Sequence, residues 1–374
     1  MTGISRRNLL QYSQLIAFGQ SSLLLAAKPA FATSGKSMDA SSSLREIAKK
    51  NGVLFGSAFT ATGLRDVALS TLYQEQVGLL VPDYELKWSK VHPSPDVFEF
   101  GPAERLAAFA STSGMQLRGH CLAWEEWNPA WLKPWLENHS AEDALTQHIE
   151  KVVSQFAGRM HSWDVVNEPI WFEHGMPNGL RSGVWLQSLG ENYIDIAFRA
   201  ARRTDPTARL VINEAATETL ASSSQTRRHY FLQLLDRMKD RGVPFDAVGL
   251  ECHLSTESQF DRDDFAEYLH EIASKGLQII ITELDVSDRR SLLTDTLERD
   301  AAVAKVYEAV VETAIMNPSV VALLTWELSD KSSWLRDQKR PDGTTPRPLP
   351  YDVNLQPKLA RSALANGLSV KRRI

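Results

Sequence analysis

Between residues 50 and 326 the chain alternates short apolar runs, rich in β-branched and aromatic residues, with longer stretches whose apolar positions recur at the helical period. The pattern predicts strands at 53–58, 79–82, 116–121, 162–167, 208–213, 247–253, 277–282 and 320–326. Helical stretches lie between them, clearest at 141–154, 185–202, 225–241, 263–275 and 296–316. No G-x-G-x-x-G or Walker pattern follows any of these strands, so no nucleotide cofactor is expected. Repeated strand–helix alternation without a phosphate loop predicts an α/β protein built as a single-domain, closed (β/α)8 TIM barrel in preference to a doubly wound sheet.

The N-terminal stretch falls outside this alternation. Arg6 and Arg7, within Ser5-Arg6-Arg7-Asn8-Leu9-Leu10, precede apolar runs at 15–18 and 23–27 that Gln20, Ser21 and Ser22 interrupt. That is too short and too broken for the roughly 20 apolar residues of a membrane span. Ala30-Phe31-Ala32 supplies the small residues of a signal-peptidase site. Residues 1–32 therefore read as a twin-arginine-type signal peptide, 33–44 as a Ser-rich linker and 45–374 as the barrel. Export to the periplasm or the medium follows, with no membrane contact after cleavage and a monomeric mature protein.

Composition narrows the partner. With 41 Lys plus Arg against 46 Asp plus Glu and 43% hydrophobic residues, the chain is globular, and it lacks the basic excess that binds nucleic acid. Two cysteines, Cys121 and Cys252, cannot make a disulfide framework or a Cys-rich metal site, and folding before twin-arginine export leaves them reduced. No His-x-His or His-Glu-x-x-His spacing supports a metal, so none is expected. Ten tryptophans are the one excess, four of them at 124, 127, 131 and 135. Such rings stack on sugars or fill core, and Trp131 and Trp135, four apart, suit local packing on a helix face.

Chemistry in a barrel belongs at the C-terminal ends of its strands. The fourth predicted strand runs from Trp163 through Val166 into Asn167-Glu168-Pro169, and the seventh from Ile279 through Thr282 into Glu283-Leu284-Asp285. Either glutamate alone could be a salt-bridged rim residue. At the mouths of nearly opposite strands the two can flank one scissile bond. About 5–5.5 Å apart, one carboxylate attacks an anomeric carbon while the other protonates the departing oxygen.

Taken in order, the segments 163–168, 281–285, Gly119-His120 with Leu122 and Trp124, 249–253, and Trp326 with Asp330 and Trp334 resemble the motifs of the family 10 glycoside hydrolases, over residues 45–360. Glu85-Leu86-Lys87-Trp88, Gly242-Val243-Pro244 and Pro348-Leu349-Pro350-Tyr351-Asp352 extend the match. The resemblance implies a retaining endo-β-1,4-xylanase acting on xylan or a related polysaccharide or oligosaccharide, with Glu168 as general acid/base and Glu283 as nucleophile. Glu168 must then be protonated when it meets substrate, and Glu283 ionised. The same resemblance gives supporting roles to Asn167, facing the sugar 2-hydroxyl, and to His253, hydrogen-bonded to the nucleophile and held from its other side by Asp285. Lys87 and His120 become sugar-binding groups, and Trp124, Trp326 and Trp334 the walls of their pocket.

The chain also departs from that pattern. Asp83-Tyr84 stands for the usual Glu-Asn, Trp127 for a Gln, Glu125 for a His, Asn213-Glu214-Ala215-Ala216 for Asn-Asp-Tyr-Asn, and Glu251 for a Gln. Losing amides at Tyr84 and Trp127 should weaken or partly block recognition of glycone hydroxyls. By strand alternation Glu251 shares a face with His253 and adds negative charge near the catalytic pair. The alternatives are a retaining hydrolase of a different β-glycan and a carbohydrate-binding barrel with little turnover.

Overall fold

In a computed structural model, residues 42–372 are described. The proposed signal and most of the linker lie outside them. The linker's last residues already belong to the folded unit: Ser43 closes a capping box with Glu46, and Leu44, fully buried, opens the helix Leu44–Lys50.

Eight parallel strands close on themselves: β1 (Leu54–Phe59), β2 (Leu79–Pro82), β3 (Gln116–Gly119), β4 (Met160–Asn167), β5 (Arg209–Glu214), β6 (Ala247–Leu250), β7 (Gln278–Ser287) and β8 (Val320–Thr325). Each pairs with the next, and β8 pairs back to β1 through Leu54–Ala322 and Ser57–Thr325. A three-residue segment, His253–Ser255, resumes β6 and pairs with Asp285–Ser287. Helices cross between strands, several started by a side chain that takes an orphan backbone N–H, such as Asp66, Ser140, Asp261 and Asp295. The helix expected over 185–202 is two, Val184–Leu189 and Asn192–Thr204, because Gly190 sits at φ 62°, ψ −162° and breaks the turn between them.

Period-two alternation divides the strand side chains into two cores. Ala58, Leu79, Val81, Val211, Ala247, Ile280, Ala322 and Leu324 fill the barrel beneath Trp326. Their neighbours Leu80, Ile212, Val248, Ile279, Ile281 and Leu323 pack outward among the helices. The interior is tight enough to require a glycine at Gly56, where a Cβ would lie 2.5 Å from the Leu79 carbonyl and 2.6 Å from Leu324. One buried ion pair also lies within it: Arg118 Nη2 donates to Asp164 Oδ1, and Asp164 Oδ2 lies 2.9 Å from His120 Nδ1. This chain of contacts runs from the barrel interior to the mouth, where His120 Nδ1 lies 4.0 Å from Glu283 Oε1.

Candidate active site

Two bulges turn the functional residues of β4 and β7 toward the barrel axis. On β4 the register against β5 shifts between Asp164 and Val166, so Val165 and Val166 both face the outer core and Asn167 turns inward. Glu168 follows at φ 47°, in the left-handed region, which redirects the chain at the rim. On β7 the register against β8 shifts between Ile281 and Leu284; both of these pack outward, leaving Thr282 and Glu283 together on the inner side. Thr282 Oγ1 donates to Asn213 Oδ1 at 2.8 Å, and Asn213 Nδ2 donates to Glu283 Oε1 at 3.2 Å. Gly249 makes room for this amide, since a Cβ there would lie 2.1 Å from Asn213 Oδ1.

Glu283 Oε2 lies 3.2 Å from His253 Nε2. The other ring nitrogen of His253 is 3.1 Å from Asp285 Oδ2, off the line of a well-aligned hydrogen bond, and Trp334 Nε1 donates to the same Oδ2 at 2.7 Å. Burial works against a charged imidazole, but Asp285 and Glu283 outweigh it and hold His253 well above its ordinary value. Burial likewise opposes an ionised Glu283, yet His253, His120 and Lys87 together keep that carboxyl below the usual range. Glu251, His253 and Glu283 bring possible ligand atoms within 4.8 Å of one another, but one ring nitrogen of His253 faces Glu283 and the other faces Asp285, which makes the cluster a poor metal cradle.

Opposite them Glu168 is buried, with its carboxylate and its carbonyl both held by Arg181: Nη2 donates to Oε2, and Nε donates to the backbone oxygen at 2.8 Å. Arg181 also reaches Glu126 at 2.7 Å and stacks on Trp171 at 4.2 Å. Behind this pair sits Glu214, which accepts from Ile170 N at 2.9 Å and is pushed up to about 8 by burial, with Glu168 adding to the effect and Arg227 opposing it.

Four of the aromatic sequence candidates gather around one ammonium. Lys87 Nζ lies 4.9 Å from the Tyr84 ring centroid, 5.3 Å from Trp124, 4.9 Å from Trp127 and 5.6 Å from Trp326. Asp83, buried one turn back, pairs with it at 3.5 Å. His120 meets Trp326 edge-on at 5.2 Å, and Trp334 meets His253 at 5.2 Å. Trp334 is carried by a loop that Asp330 anchors, accepting from Leu349 N at 3.0 Å and from Lys358 Nζ at 2.8 Å. Tyr84 and Trp127, 5.8 Å apart, bring apolar rings to positions where the family has amides.

Glu125 behaves differently from the other departures. Its carboxylate accepts from the N–H groups of Val184, Trp185 and Leu186 at the start of the helix Val184–Leu189, and burial pushes it up to about 7 against those bonds. It is a cap for that helix. Arg181 escaped the sequence reading altogether, and Asn213 entered it only as part of a changed segment, without its linking role. The spacing of Arg181 from Glu168 follows no regular period, because the intervening chain loops out and returns through the bridge between Ile170 and Leu180.

This geometry agrees with the comparisons to known proteins. The model for glycosyl hydrolase family 10 matches residues 43–367. The chain belongs to that family. It is 31% identical over 334 residues to endo-1,4-beta-xylanase C of Phanerodontia chrysosporium, covering 88% of this chain and 80% of that protein. It is 30% identical to endo-1,4-beta-xylanase B of Thermotoga neapolitana, covering 76% and 79%. Among solved structures, native xylanase 10B from Thermotoga maritima superposes with a TM-score of 0.78 at 30% identity, over 87% of this chain and 98% of that one. Xylanase 10B from Thermotoga petrophila RKU-1 in complex with xylobiose gives 0.79 at 30% identity, over 89% and 98%.

If Glu283 is the attacking carboxylate, it works only when ionised. Activity is therefore present above the lowered value of that group and lost as pH falls through it, so the acid limb of kcat/KM is expected below the ordinary 4.5. Replacing His253 by Asn removes the imidazole that lowers Glu283 and should move the limb upward in pH. A pH–rate profile of the residual activity checks this, and an unmoved acid limb would contradict the electrostatic assignment.

Proposed function

We propose that the protein is an endo-1,4-β-xylanase that hydrolyses β-1,4-xylosidic bonds with retention of anomeric configuration. The observation that carries this reading is the opposed pair: Glu283, aimed by His253 and Asn213, faces the mouth from β7, and Glu168 faces it from the end of β4. In the first step Glu283 attacks the anomeric carbon while Glu168 gives its proton to the departing glycosidic oxygen, leaving a glycosyl-enzyme ester and a shortened chain. In the second, Glu168 takes a proton from water, the water oxygen attacks the anomeric carbon, and Glu283 leaves as carboxylate. Asn167 meets the sugar 2-hydroxyl, where a hydrogen bond strengthens as oxocarbenium character develops. Asp285 fixes His253, and through it Glu283. Lys87, His120, Trp124, Trp326 and Trp334 hold the glycone sugar, and Tyr84 and Trp127 border it.

The Tyr84–Trp127 contact favours one second reading, a retaining hydrolase of a β-glycan other than plain xylan, because two rings offer apolar area where sugar hydroxyls would otherwise meet amides. A panel of xylan, mixed-linkage glucan and aryl β-xylobioside, with NMR of the first anomer released, separates the readings. Xylan cleavage giving the β-anomer, reduced by at least about 10³-fold in Glu283→Ala, is the expected result. Turnover of glucan alone would favour the second reading, and binding without turnover would make the barrel a carbohydrate-binding protein.

We also propose that residues 1–32 direct export, on the support of Arg6-Arg7, the short apolar run and Ala30-Phe31-Ala32. In a twin-arginine-competent host the exported protein should begin at Thr33 by mass spectrometry. Changing Arg6 and Arg7 to Lys together should keep it in the cytoplasm; export of that variant would overturn the proposal.

A further inference from the structure

The cluster around Glu283 contains one carboxylate more than the two-carboxylate mechanism uses. Glu251 is buried at 3% exposure, and its Oε1 accepts from Asn213 Nδ2 at 3.1 Å. The same Nδ2 is 3.2 Å from Glu283 Oε1 and 2.8 Å from Asn167 Oδ1, so three acceptors converge on an amide with two hydrogens. His253 Nε2, which lies 3.2 Å from Glu283, is 3.8 Å from Glu251 Oε2 and has a single hydrogen to offer. The two carboxylates thus share both of their donors, and one of them lacks a full set.

The groups that face Glu251 do not supply the missing charge. Glu283 approaches from β7, Glu168 from the end of β4 and Glu214 from β5, all acidic; the basic group set against them is His253 on its own segment, and it is already held by Glu283 and Asp285. Among the described residues no lysine or arginine pairs with Glu251. Two ionised carboxylates cannot share such a space at low cost, and a single bound proton supplies the lacking donor and removes the repulsion.

Resting on the xylanase reading above, we propose that Glu251 is a positioning residue that keeps one proton beside Glu283, and that loss of this proton displaces the nucleophile and sets the alkaline limit of the glycosylation step. Burial, with Glu283 and Glu168, holds the Glu251 carboxyl well above the ordinary carboxylate range, which agrees with the geometry. A glutamine here would satisfy the same contacts without titrating. Glu251 therefore gives the chain a proton-dependent control that an amide cannot provide.

The test removes Glu168 from the observation. Dinitrophenyl 2-deoxy-2-fluoro-β-xylobioside transfers its sugar to the nucleophile and releases dinitrophenolate, a leaving group that needs no protonation, so the rate of inactivation reports only the nucleophile and its surroundings. For the wild type the inactivation rate constant should fall about tenfold per pH unit on the alkaline side, and for Glu251→Gln it should stay level over the same range. Glu251→Met provides a second non-titrating variant should the amide misfold. A level wild-type profile overturns the proposal, as does a fall that persists in the non-titrating variants, which would assign the limb to His253. Absence of labelling at every pH overturns the glycosidase reading and this proposal with it; labelling with a level alkaline profile overturns this proposal alone.

Discussion

Bringing Glu168, Glu251 and Glu283 out of water at one barrel mouth is the constraint on which the site depends, because buried like charges repel and each lost solvation shell must be replaced by specific donors. The structure distributes the available positive charge to keep them distinct. His253, held by Asp285, goes to Glu283; Arg181 goes to Glu168; and Asn213, short of hydrogens, bridges what remains. Three carboxylates within one cavity thereby acquire three environments: an imidazole and an amide against Glu283, a guanidinium against Glu168, and a shared amide against Glu251.

The barrel supplies that distribution through small departures from regularity. Regular alternation would send Glu283 outward with Ile281; the shift of register after Ile281 places it inside next to Thr282. The parallel shift on β4 turns in Asn167, and the missing side chain of Gly249 admits the amide of Asn213 between β4, β6 and β7. Beneath them a filled interior and the buried Arg118–Asp164–His120 chain give the mouth a rigid floor. Cutting one member of such a buried pair costs about 3–5 kcal/mol, far more than a surface pair contributes, so the floor is held in one arrangement.

Hydrophobic pattern alone located all eight strands, because buried parallel strands are short apolar runs bounded by polar segments. Their ends were less legible. The run 247–253 breaks after Leu250, where Cys252 takes φ 59°, and the run ending at 282 continues to Ser287 because the bulge lets pairing with β8 resume at Leu284. The carboxylates, His253 and Asp285 were legible from their places at strand ends and from family motifs. Arg181 was not, since a loop contact has no period, and neither was the capping role of Glu125, since a buried acid at a helix start looks in sequence like an acid in a pocket. The aromatic substitutions at Tyr84 and Trp127 were visible as departures, while their convergence on Lys87 required the fold.

The central claim is that the environment, and not mere proximity, selects which carboxylate is the nucleophile. Trapping the glycosyl-enzyme with a fluorinated xylobioside, followed by proteolysis and mass spectrometry of the labelled peptide, reads that selection directly. The account predicts a single ester on Glu283, within the peptide that also carries Asp285. An ester on Glu251 or Glu168 would contradict it.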